Sequence, residues 1–195
     1  MSSRDWMDLG TALFLGVVDR LTDDELSAPT RLPEWTRRHV VAHVHGNAEA
    51  LRRLLDWAAT GVENRMYAGP TQRDAEIRAM AALPADELRV LVHRSARALA
   101  ADLDALPEAA WRHMVITAQG RTVPASEIPW MRAREVAVHA VDLDHSVGFA
   151  DLPDDLAAAL AADAVAKHAS RGSAADLAAW LTGRSAKAPT LGPWL

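Results

Sequence analysis

Four long stretches of this chain repeat apolar side chains at helical spacing, and that periodicity limits the available folds more than any other feature. The second stretch is the clearest. Thr36 offers a cap, Val40, His43, Val44, Asn47, Leu51, Leu54 and Leu55 fall on one stripe, and Gly61 offers a stop, which predicts a helix to about Thr60. A first helix is predicted over about Asp5–Leu21, with Ser3 as cap and Trp6, Leu9, Leu13, Val17 and Leu21 on its apolar face. Pro84 opens a third, about Ala85–Leu106, and the fourth runs from about Pro129 to Ser146. TQRDAEIRAMAAL is a shorter amphipathic piece, and Val115–Thr117 and Arg121–Val123 flank a Gln119–Gly120 turn as a small hairpin. Beyond Gly148 come two shorter helical stretches, Pro153–Ala169 and Ala174–Leu181, and a proline-containing tail. Helices with a single apolar stripe must bury it against one another. The predicted class is therefore mainly all-α: an antiparallel four-helix bundle over residues 1–150, and a short helical C-terminal extension over 151–195 packed on it.

The totals exclude several functions. No apolar run is long enough to span a bilayer, and MSSRDWMDLG lacks the basic and apolar segments of a secretory signal, so the expected location is the cytoplasm. A net charge of −5 gives no footprint for nucleic acid. There is no cysteine. Any metal must then be held by nitrogen and oxygen, and any thiol chemistry must come from a bound cofactor.

The chemistry concentrates in REVAVHAVDLDHS, Arg134–Ser146, where Glu135 and His139 stand four apart and share one helix face. His43, on the inward side of the second helix, completes a set of three ligands, the number a catalytic zinc site draws from protein while leaving a position open. The spacing by itself leaves two readings. His43, Glu135 and His139 are metal ligands, or Glu135 and His139 form a surface salt bridge and His43 is a satisfied core histidine. Asp142, one turn on, either orients the His139 imidazole or is helix-end solvation. Arg132 and Arg134 are expected at the surface or behind the ligands, and His39, His45, His93, His113, His145 and His168 are expected to be exposed or structural. Trp35, Trp130 and Trp180 are expected at helix junctions, Trp130 being the candidate pocket wall.

LPEWTRRHVVAHVHGNAEAL, IPWMRAREVAVHAVDL and the ending DLAAWLTGR…LGPWL, in that order, resemble the mycothiol-dependent maleylpyruvate isomerase family within the DinB-like metal-binding four-helix bundles. The resemblance covers Met1 to about Pro153 and resumes near Ser173. It implies zinc or another divalent metal on His43, Glu135 and His139, with water completing the shell. It also implies mycothiol as cofactor, and cis–trans isomerisation of maleylpyruvate by thiolate addition and elimination. The family's WLTGR ending supplies an arginine near the metal, here Arg184, as a catalytic partner for a substrate carboxylate; the other reading of Arg184 is a solvent-facing charge after Gly183. The implied partners are a small electrophilic substrate and a low-molecular-weight thiol, with no nucleic acid and no membrane. Family members usually carry a larger α/β domain after the bundle, whereas roughly 45 residues follow Ala150 here. Two alternatives stay open: a mycothiol S-transferase acting on another electrophile, and a DinB-like protein that binds metal or a small ligand without turnover.

Overall fold

A computed structural model describes residues 1–192, so the last residues of the LGPWL stretch, Trp194 among them, lie outside the described residues. The chain divides into two compact units, Met1–Asp151 and the part from Leu152 onward.

The first unit is built on four helices: α1 (Ser3–Arg20), α3 (Arg37–Thr60), α5 (Ala85–Ala105) and α6 (Ile128–Asp142). The short α2 (Asp23–Ser27) and the intermediate α4 (Pro70–Ala81) connect them. Contacts of α1 with α6, α6 with α3, α3 with α5 and α5 with α1 close a ring. Two sides of the ring are antiparallel. On one, His43 of α3 meets Glu135 of α6, and Arg37 at the start of α3 meets Leu143 just past the end of α6. On the other, Arg4 of α1 pairs with Asp104 of α5 at 2.8 Å while Asp19 pairs with His93. The α3–α5 and α1–α6 sides run parallel, as Arg38→Ala81 carbonyl at one end and Arg52–Asp102 at the other show for α3 and α5. The cause is α4, which packs on α3 and returns the chain so that α5 starts at the end where α3 started.

Local chemistry sets the boundaries. Ser2, not Ser3, caps α1: its hydroxyl accepts from Asp5 N–H, and the Asp5 carboxylate accepts from Ser2 N–H. The buried stripe of α1 is Met7, Gly10, Phe14, Val17 and Val18, one residue over from the predicted face at Trp6, Leu9 and Leu13. Gly10 explains the shift. A Cβ built there would stand 2.8 Å from Val136 Cγ2 and 3.4 Å from the Ala137 nitrogen, so the missing side chain lets α6 approach α1 closely. Gly10→Val is expected to lower stability by about 1–3 kcal/mol through overpacking, read as a lower midpoint in urea unfolding; an unchanged midpoint would refute the close contact.

Helix α3 matches its predicted span, with Gly61 left-handed at φ 76° as its stop. His39 is structural: its Nδ1 accepts from Thr36 N–H at the helix start, 3.2 Å away. Helix α6 ends before the predicted Ser146. Asp144 turns left-handed at φ 46°, and Arg37 takes the final carbonyls, donating to Leu143 O and Asp144 O. His145 is consequently exposed and beyond the helix. The hairpin forms as β1 (Met114–Ile116) and β2 (Thr122–Pro124), antiparallel with Val115 opposite Val123.

The second unit contains α7 (Asp154–His168) and α8 (Ala174–Leu181). A five-residue π segment, Ala169–Ser173, joins them, and Gly172 at φ 103° makes the kink. Among the described residues no helix is long and apolar enough to cross a membrane.

Candidate metal centre

His43, Glu135 and His139 come together although α3 and α6 contribute them, His43 and Glu135 being 92 residues apart in sequence. His43 Nε2 lies 3.0 Å from Glu135 Oε2, and His139 Nε2 lies 3.5 Å from the same oxygen. The two imidazoles meet edge to face, centroids 4.8 Å apart, and one ligand atom from each residue falls within 4.8 Å of the others. Ligand atoms on a tetrahedral zinc ion with bonds of about 2.0–2.1 Å are separated by about 3.3 Å. The 3.0 and 3.5 Å separations bracket that figure, and the donors are the imidazole and carboxylate such an ion takes. The residues fit a divalent metal.

The electrostatics favour the same arrangement. Burial pushes the Glu135 carboxyl upward, but hydrogen bonds from His139 and His43 outweigh it and hold the group well below the usual carboxylate range. Burial pushes His139 downward, and bonds to Asp142 and Glu135 reverse this and lift it to about 9. Asp142 Oδ2 accepts from His139 Nδ1 at 2.8 Å, which leaves Nε2 facing the cluster. Asp142 is thus an orienting group, not helix-end solvation. For His43 burial dominates and lowers its value.

Of the two places expected for Arg132 and Arg134, the surface or behind the clustered side chains, burial of both excludes the surface. Arg132 is 1% exposed; its Nη1 donates to Val44 O at 2.7 Å and Asn47 Oδ1 at 2.8 Å, tying α6 to α3 one turn before Glu135. The aromatic wall is also different. Trp130 packs edge-on against Trp6 in the core, centroids 5.8 Å apart, whereas Trp35 stands 5.5 Å from the His43 ring. His45 is buried with Nδ1 unpartnered, His113 bonds the Ala58 carbonyl and His93 pairs with Asp19, so these three are structural. Buried His168 belongs to the second unit.

The periodicity did not point to Tyr67 and Arg73, in the connection between α3 and α5. Arg73, in the first turn of α4, places Nη2 3.3 Å from His43 Nδ1, and its positive charge acts on the Tyr67 hydroxyl. Burial raises Tyr67 above its ordinary value. Arg184 lies in the second unit just past α8, where Gly183 turns left-handed and the guanidinium donates to the Thr182 carbonyl.

A family model described as the mycothiol maleylpyruvate isomerase N-terminal domain matches residues 8–144. Among solved structures, a crystal structure of the mycothiol-dependent maleylpyruvate isomerase is 40% identical, with a TM-score of 0.80, covering 84% of this chain and 68% of that one. A histidine-to-alanine mutant of the mycothiol-dependent maleylpyruvate isomerase is likewise 40% identical, with a TM-score of 0.83, covering 87% of this chain and 71% of that one. Comparison with curated protein sequences returned no match. The matched span runs from α1 to the end of α6 and contains all three clustered side chains, and on this footing the chain belongs to the mycothiol-dependent maleylpyruvate isomerase family of enzymes.

Proposed function

We propose that this protein is a zinc-dependent cytoplasmic enzyme that uses mycothiol to isomerise maleylpyruvate from cis to trans. The observation that carries the reading is the His43–Glu135–His139 cluster, buried at His43 and half-buried at the other two, with Asp142 behind it, inside the family span of a chain that has no cysteine of its own. A divalent ion held there supplies positive charge that favours the thiolate form of an external thiol at neutral pH.

The chain's residues then have separate tasks. Glu135 and the two imidazoles hold charge in a water-poor setting, and Asp142 fixes the tautomer of His139. Mycothiol, when bound, would supply a thiolate able to add to the conjugated alkene and leave it again, so that the former double bond could rotate between the two steps with no net change in thiol or electrons. In this reading Arg184 anchors a substrate carboxylate through its planar fork.

Incubating the zinc-loaded protein with maleylpyruvate tests the proposal. The absorbance change of isomerisation is expected only when mycothiol is present. An absence of thiol-dependent change contradicts the isomerase reading, and thiol consumption with other electrophiles would then identify an S-transferase.

A further inference from the structure

Arg73 makes a contact that a metal-loaded His43 cannot keep. Its Nη2 lies 3.3 Å from His43 Nδ1 and its Nη1 lies 3.2 Å from Asp74 Oδ1. A guanidinium has donors and no acceptor, so Nδ1 must accept and the ring proton must sit on Nε2. That proton points along the 3.0 Å line to Glu135 Oε2. Ligation through Nε2 requires the opposite tautomer, in which the lone pair faces the ion and the proton is on Nδ1. The ring keeps its charge, but two N–H groups would then face one another across the Arg73 contact.

We propose that Arg73 and the metal ion are mutually exclusive partners of His43, and that the guanidinium released from Nδ1 when the ion binds becomes an anchor for a carboxylate of the substrate. The inference rests on the metal and substrate reading above and adds a residue to it. Three features support the anchor role. The Arg73 side chain is one-third exposed, so part of its fork already meets solvent. Its other hydrogen bond, to the neighbouring exposed Asp74 carboxylate, is replaceable by water or by a stronger partner. Its substrate in the family reaction is a dicarboxylate, which needs two cationic partners, and Arg73 stands in the same unit as the ligands. As a residue in contact with substrate it determines recognition of the carboxylate.

The test measures metal and ligand binding, not turnover. Zinc affinity of wild type and Arg73→Met is compared by competition with a chromophoric chelator, with circular dichroism confirming that the variant folds. The variant is expected to bind zinc about tenfold more tightly, the worth of one charge-assisted hydrogen bond no longer lost on loading. Zinc-loaded proteins are then titrated calorimetrically with maleate, a non-isomerising cis-dicarboxylate in the absence of thiol. Arg73→Met is expected to bind it at least tenfold more weakly, and Arg73→Lys to fall between the two. Equal or weaker zinc affinity in Arg73→Met, or equal maleate affinity, overturns the inference while the metal reading stands. Failure of the wild type to take up zinc overturns both.

Discussion

His139→Ala is expected to weaken binding of a divalent ion by more than about 100-fold while leaving the helical content unchanged. Loss of a partner that merely orients a ligand costs about 10–100-fold in metal affinity, and His139 is proposed as a ligand itself, one of three. Alanine is the best helix former, so α6 has no local reason to break. The effect has a pH signature. In the metal-free protein His139 is raised to about 9 from an ordinary 6.5, so its contribution to stability is complete below about 6.5 and is lost as pH rises through about 9. An ion must displace the same proton, so wild-type zinc affinity is expected to climb between those two values. Chelator competition across that interval checks both statements. Unchanged affinity in His139→Ala would reduce Glu135 and His139 to an ion pair, and a pH-independent wild-type affinity would remove the proton from the site.

Arg132→Ala is expected to lower unfolding stability by about 3 kcal/mol, the largest single loss anticipated for a residue that touches no ligand atom. Arg132 is fully buried, and burial pushes its guanidinium down to about 10, with Glu135 and Tyr67 pulling the other way. Truncation removes the donor to Asn47 Oδ1 and the second donor to Val44 O, each loss costing about 1–3 kcal/mol, and leaves a cavity at the α3–α6 contact. Relief of the buried charge offsets part of this. Arg132→Lys keeps the charge without the fork and is expected to recover only a fraction. Urea unfolding of the metal-free protein is the measurement, and a loss below about 1 kcal/mol would show that the bonds contribute little net stability.

The helices were legible because each buries one stripe, and the stripe is written in the chain at 3.6-residue spacing. What periodicity could not supply were features created by other segments. Gly10 carries no apolar signal, yet it sets which face of α1 meets α6. The end of α6 depends on Arg37, 106 residues earlier, taking the Leu143 carbonyl. The parallel α3–α5 side follows from α4 being a return crossing, which its weak amphipathicity did not announce. The ligand set divides in the same way. Glu135 and His139 are a local pattern, His43 was legible as an inward histidine on the second helix, and the motif resemblance strengthened its pairing with the other two. Asp142 was visible as a neighbour one turn on, but its role needed the 2.8 Å bond to be seen. Trp35 and Arg73 reach His43 only through tertiary approach, and no spacing in the chain encodes that.

The central claim is that one metal ion sits between α3 and α6 on these three side chains. Anomalous diffraction at the zinc edge from zinc-loaded crystals tests it most directly. The expected result is one strong peak per chain bonded to His43 Nε2, His139 Nε2 and a Glu135 carboxylate oxygen, with the Asp142 bond to His139 Nδ1 retained. A peak on other residues, or none at this cluster at full zinc loading, would contradict the account.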